Sequence, residues 1–455
     1  MLIRFSFENF KSFNGKQELN LIPSKRLIKK KDHVIKFDGL SVLRNATIYG
    51  ANASGKTNTI EAIRFAKYIL LNKIPNEASK MYCRAFGENK SKDTRFEFEF
   101  IKNDRCYAYG FSMRMSDMEI VSEWLYEIFP KKNNEEMLFE REVKNKRIEL
   151  GKDIQLSETD DMKFKTYKFD FEDNKTNLFV QEMNRQKKFS EESKLTFFKD
   201  VYEWFKEDLI TILPDQPITS FEYFYGDGGT DQVNRLIELF DTGISKVKIE
   251  EVSVADLKSK LPSNLVEDII SSFKKKLDEA PEHDKVMLSL RTNDAFYNLK
   301  GSLGEEPSIT TIMLEHGNAF DDFDFSEESD GTRRLFDLLD ILISNEKNKV
   351  YIIDELERSL HPKLTYKFVE LFFNHLKQNN IQLIFTTHES TILDQDLVRR
   401  DEVWFVERDK DNVSKLYSLD RFKERYDKKL SKAYLEGRYG AIPVFKDYLI
   451  EGGVE

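Results

Sequence analysis

Short runs of alternating apolar and polar residues dominate the first part of the chain and are typical of β-strands. Residues 2–7 alternate in this way, and residues 46–49 form a short apolar run. Residues 58–71 carry apolar side chains at helical spacing. Residues 96–100 and 107–111 alternate again, and the Asn-Asp pair between them favours a tight turn. A strand-rich region with one early strand–helix unit is therefore predicted.

Helical spacing takes over from about residue 191, and from about residue 325 helix and strand patterns alternate. The sequence contains no internal repeat and no sustained heptad pattern, so a long coiled coil is not expected. The chain is therefore predicted to be an α/β protein. Its predicted parts are a β-rich N-lobe at residues 1–190, a short helical insertion at residues 191–284 and a C-lobe with a parallel sheet at residues 285–455.

Composition argues against several classes of protein. The 455 residues are 40% hydrophobic and 33% charged, which suits folded domains rather than global disorder. No apolar stretch approaches the roughly 20 residues that span a bilayer, and the first residues lack the apolar core of a signal peptide. A cytoplasmic protein without membrane contact is therefore expected. Two cysteines cannot form a disulfide framework or a four-cysteine zinc site.

The distribution of charge leaves one question open. A net charge of −10 argues against a protein whose whole surface binds nucleic acid. One dense basic run nevertheless occurs at Lys25, Arg26 and residues 29–31. This run is either a solvated loop or a contact for nucleic acid or an acidic partner.

A glycine-rich motif links the early strand to the helix. Residues 50–57 read GANASGKT, which fits G-x-x-x-x-G-K-[ST] between an apolar strand and an amphipathic helix. Glycines let backbone N–H groups point at phosphate oxygens, and the helix start adds its positive dipole end. Lys56 is expected to contact the β- and γ-phosphates of ATP, and the Thr57 hydroxyl is expected to bind Mg²⁺. The predicted nucleotide-binding residues of the motif are Gly50, Asn52, Ser54, Gly55, Lys56 and Thr57.

A second apolar strand, residues 350–353, ends in the two carboxylates Asp354 and Glu355. In a parallel sheet this end of a strand opens on the ligand crevice. Asp354 is predicted to hold Mg²⁺, directly or through water, and Glu355 to orient and polarise the attacking water. Residues 382–385 form the next predicted strand after one helix. His388 follows it and is therefore predicted at the same sheet edge, within reach of a γ-phosphate, as a second catalytic residue.

A polar turn, residues 329–334, reads SDGTRR and precedes a long amphipathic helix. Ser329 and Gly331 could form a simple helix N-cap, or they could donate hydroxyl and N–H groups to an anion. The order of elements favours the second interpretation. An S-x-G turn, a helix, an Asp-Glu strand, a helix and a His strand follow one another as in an ABC-type ATPase head.

Together these motifs resemble the ABC-type ATPases that include the SMC, RecF and OLD families, and in particular the RloA/AriA-type AAA ATPases of bacterial anti-phage systems. The residues that carry the likeness are 2–13, 50–58, 326–334, 354–362, 386–388 and 434–443. The resemblance implies that Asn58 and Thr332 join the nucleotide-binding residues. It also implies that Ser329 and Gly331 reach the γ-phosphate bound by a second subunit.

The same resemblance predicts an assembly. ATP and Mg²⁺ would lie between the heads of a homodimer or higher homo-oligomer, and residues 356–362 would communicate between the two nucleotide sites. These heads usually carry a metal-sensing glutamine after the N-lobe, for which Gln181 and Gln186 are candidates.

Two functions compete at this point. The first is an ATP-hydrolysing sensor or scaffold of a bacterial anti-phage defence system. It would control a separately encoded effector, expected from the resemblance to be a nuclease, in response to a nucleic acid or phage protein. The second is a RecF-like DNA repair or replication ATPase that binds duplex DNA across a head dimer. A stand-alone nuclease is the weakest interpretation, because the stretch after His388 is too short for a further nuclease domain of ordinary size.

Overall fold

The computed structural model describes all of the chain except residues 28, 186–187, 215–228, 281–285, 292–295, 305–306, 318, 344–345, 376–378, 423–428 and 443–455. The chain divides into two compact units, and each unit is built from separate stretches of sequence. The first unit comprises Met1–Leu213, Glu346–Leu356 and Leu376–Glu455. The second unit comprises Pro214–Asn345 and Glu357–His375.

Strands and helices alternate irregularly along the described residues. The strands are β1 (Leu2–Glu8), β2 (Gln17–Asn20), β3 (Val34–Phe37), β4 (Leu40–Leu43), β5 (Asn45–Tyr49), β6 (Thr94–Lys102), β7 (Arg105–Arg114), β8 (Glu119–Phe129), β9 (Asn134–Glu142), β10 (Arg147–Leu150), β11 (Leu209–Ile212), β12 (Lys246–Glu251), β13 (Val286–Arg291), β14 (Phe296–Gly301), β15 (Ser308–Glu315), β16 (Phe323–Asp324), β17 (Val350–Ile353), β18 (Gln382–Thr387), β19 (Val403–Arg408) and β20 (Ser414–Ser418). The α-helices are α1 (Lys56–Leu71), α2 (Glu158–Phe171), α3 (Phe179–Asn184), α4 (Thr196–Glu203), α5 (Gly229–Ile237), α6 (Val254–Lys260), α7 (Ser263–Glu279), α8 (Asp330–Ile343), α9 (Pro362–His375) and α10 (Leu430–Leu435).

A mainly parallel sheet forms one layer of the first unit, with the strand order β11–β17–β18–β5–β19–β20. Neighbouring strands run parallel, except that β20 returns antiparallel to β19. The central strands β17, β18 and β5 are buried at every position, as expected for strands covered on both faces. The predicted parallel pairing of the acid strand with the histidine strand is confirmed. Strand β18 lies between the acid strand β17 and the strand β5 that leads into the glycine-rich loop.

An antiparallel sheet with the order β10–β9–β8–β7–β6–β1–β2 forms the second large sheet of this unit. The predicted hairpin is strands β6 and β7, whose last pair is Lys102 with Arg105. Asn103 and Asp104 form its turn with φ values of 50° and 60°, the left-handed conformation that a two-residue hairpin turn requires. The side chains of this sheet supply much of an aromatic core, where Trp204 stacks on Phe100 with 4.1 Å between ring centroids.

The second unit carries helices α5 to α9 and its own antiparallel sheet, with the order β12–β15–β14–β13 and β16 beside β15. Its core includes Val266 and Phe273 of α7 packed near Leu299 of β14. In the described part of the chain the longest helix is α7 with 17 residues, so no long coiled coil occurs there. The predicted fold class, α/β with a β-rich part and a parallel-sheet part, is confirmed.

Residues 191–284 are less uniformly helical than their pattern suggests. They contain the helices α4 to α7, but strand β11 pairs with β17 and strand β12 pairs with β15. Strand β11 has only four residues, too few to display a period. The predicted division into residues 1–190, 191–284 and 285–455 stays a prediction, and the structure itself divides into two compact units. No helix among the described residues has the length and apolar character needed to cross a membrane.

Candidate nucleotide site

The glycine-rich loop connects the buried end of β5 to the first turn of α1. Close packing explains both of its glycines. A Cβ on Gly50 would lie 2.5 Å from the Val406 carbonyl oxygen. Gly55 has φ 115°, and a Cβ there would lie 2.6 Å from the Ser414 hydroxyl. Only glycine tolerates these positions, so the loop keeps the tight curl that aims N–H groups at an anion.

Lys56 begins α1 and turns its side chain back over the loop, where it is 6% exposed. Its Nζ donates to the Gly50 carbonyl at 2.7 Å and lies 2.9 Å from His388 Nε2. Because an ammonium can only donate, Nε2 accepts in this contact. Partial burial and the adjacent Lys56 charge lower the pKa of His388, with an opposing effect from Asp354, so the neutral imidazole is favoured.

The other residues predicted in the loop differ in exposure. Asn52 and Thr57 are exposed, so both can meet a ligand from solvent. Ser54 is 4% exposed, and its hydroxyl has no hydrogen-bond partner among the described residues. Asn58 donates its amide to the Ser12 hydroxyl at 2.8 Å, a contact that supports the loop from the protein side.

The acid pair stands at the carboxyl end of β17. Asp354 is 1% exposed, and the Thr386 hydroxyl lies 2.5 Å from its Oδ1. Its Oδ2 has no hydrogen-bond partner in the part of the chain that the structure describes. Glu355 is half-buried with φ 49°, and its N–H donates to the same Thr386 hydroxyl at 2.8 Å. Thus the carboxyl ends of β17, β18 and β5 bring Lys56, His388, Asp354 and Glu355 to one edge of the parallel sheet.

Ser329, Gly331 and Thr332 lie in the second unit, where they form the start of α8. The Thr332 N–H donates to the Ser329 hydroxyl at 3.1 Å, which is the N-cap geometry that the sequence left open. Ser329 is exposed. A Cβ on Gly331 would lie 2.5 Å from the Ser359 carbonyl oxygen, so the turn packs tightly against the backbone of Ser359 in the same unit.

Of the two glutamines predicted as metal-sensing candidates, the structure describes only Gln181. Gln181 donates its amide to the Asn72 carbonyl at 3.2 Å. Asn72 follows the C-terminal end of α1, and the 16 residues of that helix span roughly 24 Å from the Lys56 end. Gln181 is therefore wrong as a metal-sensing residue at this site. Gln186 lies outside the described residues.

Three residues support the site in roles that the sequence pattern did not predict. Thr386 bridges the acid pair, as described above. The Ser414 hydroxyl lies 2.8 Å from the Ser12 hydroxyl and 2.5 Å from the Ser54 carbonyl oxygen, so two hydroxyls brace the outside of the glycine-rich loop. The position of Thr386 directly before Thr387 and His388 was a usable signal. Ser12 and Ser414 are far apart in sequence, and no local pattern connects them.

The site fits Mg²⁺-ATP. Two buried oxygens, Ser54 Oγ and Asp354 Oδ2, lack hydrogen-bond partners among the described residues, and leaving such atoms unpaired is costly unless a ligand completes them. The available metal donors are oxygens, the type that Mg²⁺ prefers. No group of three or more His, Cys, Asp or Glu in the described residues could hold a metal ion. Mg²⁺ commonly binds through one or two carboxylates together with substrate phosphates and water, so this finding agrees with the donor set.

Three SMC head domains are among the solved structures that match the chain, each with low similarity. An Smc head bound to the C-winged helix domain of ScpA is 15% identical, with a TM-score of 0.38, covering 92% of this chain and 98% of that chain. An Smc head with an extended coiled coil, bound to a ScpA domain from Pyrococcus furiosus, is 14% identical, with a TM-score of 0.37 and coverages of 96% and 99%. The SMC head domain from Thermotoga maritima is 11% identical, with a TM-score of 0.34 and coverages of 92% and 98%.

Two sequence comparisons gave opposite results. No curated protein matches the chain. One family model matches residues 46–394, a stretch that contains the glycine-rich loop, the acid pair and His388. Because this match spans more than half of the sequence, the chain belongs to the family described as "AAA domain, putative AbiEii toxin, Type IV TA system".

Proposed function

We propose that the chain binds ATP with Mg²⁺ and hydrolyses it at the edge of the parallel sheet. The observation that carries the proposal is the convergence of the lysine of the glycine-rich loop, an acid pair and a histidine at the ends of three adjacent strands. Lys56 would contact the β- and γ-phosphates. Thr57 and Asp354 would hold Mg²⁺, which neutralises charge on the phosphate oxygens.

Hydrolysis would depend on two side chains at this edge. Glu355 would orient the attacking water and accept its proton. His388 would face the γ-phosphate through its ring, and the lowered pKa of His388 favours a neutral imidazole there. The Lys56 ammonium is held in position by the site itself, because it lies against both the loop carbonyls and His388.

The complete site is proposed to require a second copy of the chain. Ser329, Gly331 and Thr332 of one copy would meet the nucleotide held by Lys56 of another. Ser329 is exposed at the start of a 14-residue helix, and the positive dipole end of that helix suits contact with an anion. ATP would then favour the paired state, and hydrolysis would release it.

Replacement of Ser329 by arginine is expected to block this pairing but leave nucleotide binding to one copy intact. A long charged side chain at the turn would clash with an approaching nucleotide and the loop around it. Molar mass by light scattering in ATP and Mg²⁺ should rise for the wild type and stay at the monomer value for Ser329→Arg. Fluorescent-nucleotide binding should be similar for both proteins.

Ser259→Arg, at another exposed serine of the second unit, is the matched control and should pair as the wild type does. Normal ATP-dependent pairing by Ser329→Arg would contradict the proposed role of the turn.

In the cell, we propose that the ATPase is a sensor or scaffold subunit of a bacterial anti-phage defence system and controls a separately encoded effector, which the family resemblance predicts to be a nuclease. The family description names a toxin and a type IV toxin–antitoxin system, which supports a defence context. The motif resemblance to RloA/AriA-type ATPases supports the division of labour between ATPase and effector. Affinity purification from the native host during phage infection should recover the effector with this chain in an ATP-dependent manner.

A basic groove in the first unit favours a second candidate, a RecF-like ATPase that binds duplex DNA. The groove has a volume of about 700 Å³ and is lined by Lys25, Lys31 and Lys36 beside apolar side chains that include Phe37. All three lysines are exposed, in a chain whose net charge is −10. The groove can therefore attract phosphate although the chain as a whole repels it.

This second candidate predicts a measurable salt dependence. Alanine at Lys25, Lys31 and Lys36 together should flatten the slope of log affinity for duplex DNA against log salt by about 0.9 for each phosphate that the variant no longer neutralises. Lys165→Ala, at an exposed lysine of α2, is the control. Absence of duplex binding at low salt, or equal slopes for the triple variant and the control, would remove this candidate.

A further inference from the structure

Thr386 connects the acid pair to the neighbouring strand β18. Its side chain is completely buried. Its hydroxyl lies 2.5 Å from Asp354 Oδ1 and 2.8 Å from the Glu355 backbone nitrogen. Its carbonyl oxygen accepts from the Leu356 N–H at 3.1 Å. One residue therefore contacts three consecutive residues at the point where β17 ends.

Hydrogen-bond chemistry fixes the direction of these contacts. The Glu355 N–H can only donate, so the Thr386 oxygen accepts from it. A hydroxyl has a single proton, and the remaining partner is Asp354 Oδ1, so the proton points to that oxygen. The contacts form a series of hydrogen bonds that runs from the Glu355 N–H through the Thr386 hydroxyl to the Asp354 carboxylate.

This series of hydrogen bonds determines which oxygen of the Asp354 carboxylate is left for a ligand. Oδ1 is occupied by Thr386, whereas Oδ2 is buried and has no hydrogen-bond partner among the described residues. A buried carboxylate oxygen without a partner is costly, and a cation would complete it. Thr386 thus holds the carboxylate in the orientation that leaves one oxygen for a metal.

The same hydroxyl acts on the backbone of Glu355. Glu355 has φ 49°, a left-handed conformation that residues other than glycine adopt rarely and keep only when their surroundings enforce it. The Glu355 N–H bond to the hydroxyl and the Leu356 N–H bond to the Thr386 carbonyl enclose this residue on both sides. Without the hydroxyl, only one of these two constraints remains.

We propose that Thr386 is a positioning residue that sets both halves of the acid pair through one hydroxyl: it orients the Asp354 carboxylate for Mg²⁺ and holds the Glu355 backbone in the conformation needed to place its side chain. This inference rests on the proposed ATP hydrolysis. Thr386 touches neither nucleotide nor water in this role and acts through Asp354 and Glu355.

Comparison of Thr386→Val with Thr386→Ser tests the hydroxyl. Valine has nearly the same shape but no hydroxyl, and serine restores the hydroxyl. Residues that orient metal ligands typically contribute about 10- to 100-fold to metal affinity or activity. Thr386→Val should therefore lower kcat by about 10-fold or more, with the KM for ATP within about threefold, and raise the Mg²⁺ concentration for half-maximal rate by about 10-fold. Thr386→Ser should restore both values to within about threefold of the wild type.

Thr47→Val is the matched control for loss of a buried hydroxyl in the same sheet. Thr47 lies on β5, is completely buried, and accepts a hydrogen bond from the Asn45 amide at 2.9 Å. The Thr47→Val variant should leave kcat and the Mg²⁺ requirement unchanged. Melting temperatures of all variants, measured without nucleotide, separate a loss of folding from a loss of positioning.

The outcomes separate this inference from the proposed function. Wild-type rates and Mg²⁺ requirement in Thr386→Val would overturn the inference, and so would failure of serine to restore a valine defect. If the wild type binds ATP but does not hydrolyse it, the proposed hydrolysis is wrong. The inference is then tested by thermal stabilisation in ATP, because Thr386→Val should still need more Mg²⁺ than the wild type or Thr47→Val. Equal Mg²⁺ requirements would contradict the inference.

Discussion

Lys56→Ala is expected to weaken ATP binding by at least about 100-fold. The ammonium is the compact positive charge of the glycine-rich loop, and hydrogen bonds to charged groups contribute roughly 1.5–3 kcal/mol each. The loop carbonyls of Gly50 and Ala51 lose their donor in the same variant, because the Lys56 Nζ lies 2.7 Å and 3.3 Å from them. Isothermal titration calorimetry with ATP and Mg²⁺ measures the loss.

Lys67→Ala is a control on the same helix. The Lys67 side chain is half-buried, and burial lowers its pKa to about 8. It donates to the Leu209 carbonyl. It lies three turns from Lys56, about 16 Å along the helix axis. Lys67→Ala should bind ATP as the wild type does. Near-normal ATP affinity in Lys56→Ala would show that the nucleotide is bound elsewhere.

Glu355→Gln is expected to reduce ATP hydrolysis by about 100-fold or more while ATP remains bound. Glutamine keeps the size of the side chain but cannot accept a proton from water, and a positioned general base typically contributes about 10²- to 10⁴-fold. Since bound ATP favours the paired state, the variant should accumulate as closed pairs in ATP and Mg²⁺. Phosphate release measures the rate, and light scattering measures the pairing.

Glu389→Gln is the control for this change. Glu389 is a half-buried carboxylate near the same sheet edge, and it accepts from the Thr391 N–H at 3.0 Å within its own turn. Glu389→Gln should hydrolyse ATP at nearly the wild-type rate, because the Glu389 carboxylate is engaged within its own turn and not at the acid pair. Normal hydrolysis by Glu355→Gln would exclude Glu355 as the base.

Local patterns predicted much of the first unit, because their physical cause is local. The alternation in β6 and β7 and the turn residues between them define a hairpin without help from the rest of the chain. The glycine spacing of residues 50–57 predicted a loop before a helix, and Gly50 and Gly55 are indeed at positions where a side chain would clash. The apolar runs of β17 and β18 predicted buried parallel neighbours.

Contacts between distant residues were beyond the reach of these patterns. Ser12 and Ser414 meet behind the glycine-rich loop although about four hundred residues separate them, and no periodicity records that contact. The contacts of the Thr386 hydroxyl with Asp354 and Glu355 depend on the register between β17 and β18. Gln181 was a candidate because of its place in the sequence, and its position beside Asn72 depends on how α3 packs against α1.

A structure of the Glu355→Gln protein with ATP and Mg²⁺ tests the central claim most directly. The account predicts that the Ser329 hydroxyl and the Gly331 N–H lie within hydrogen-bond distance of a γ-phosphate oxygen whose ATP is held by Lys56 of another copy. A nucleotide-bound structure in which the turn that contains Ser329 and Gly331 is far from every phosphate, in its own copy and in all neighbouring copies, would contradict it.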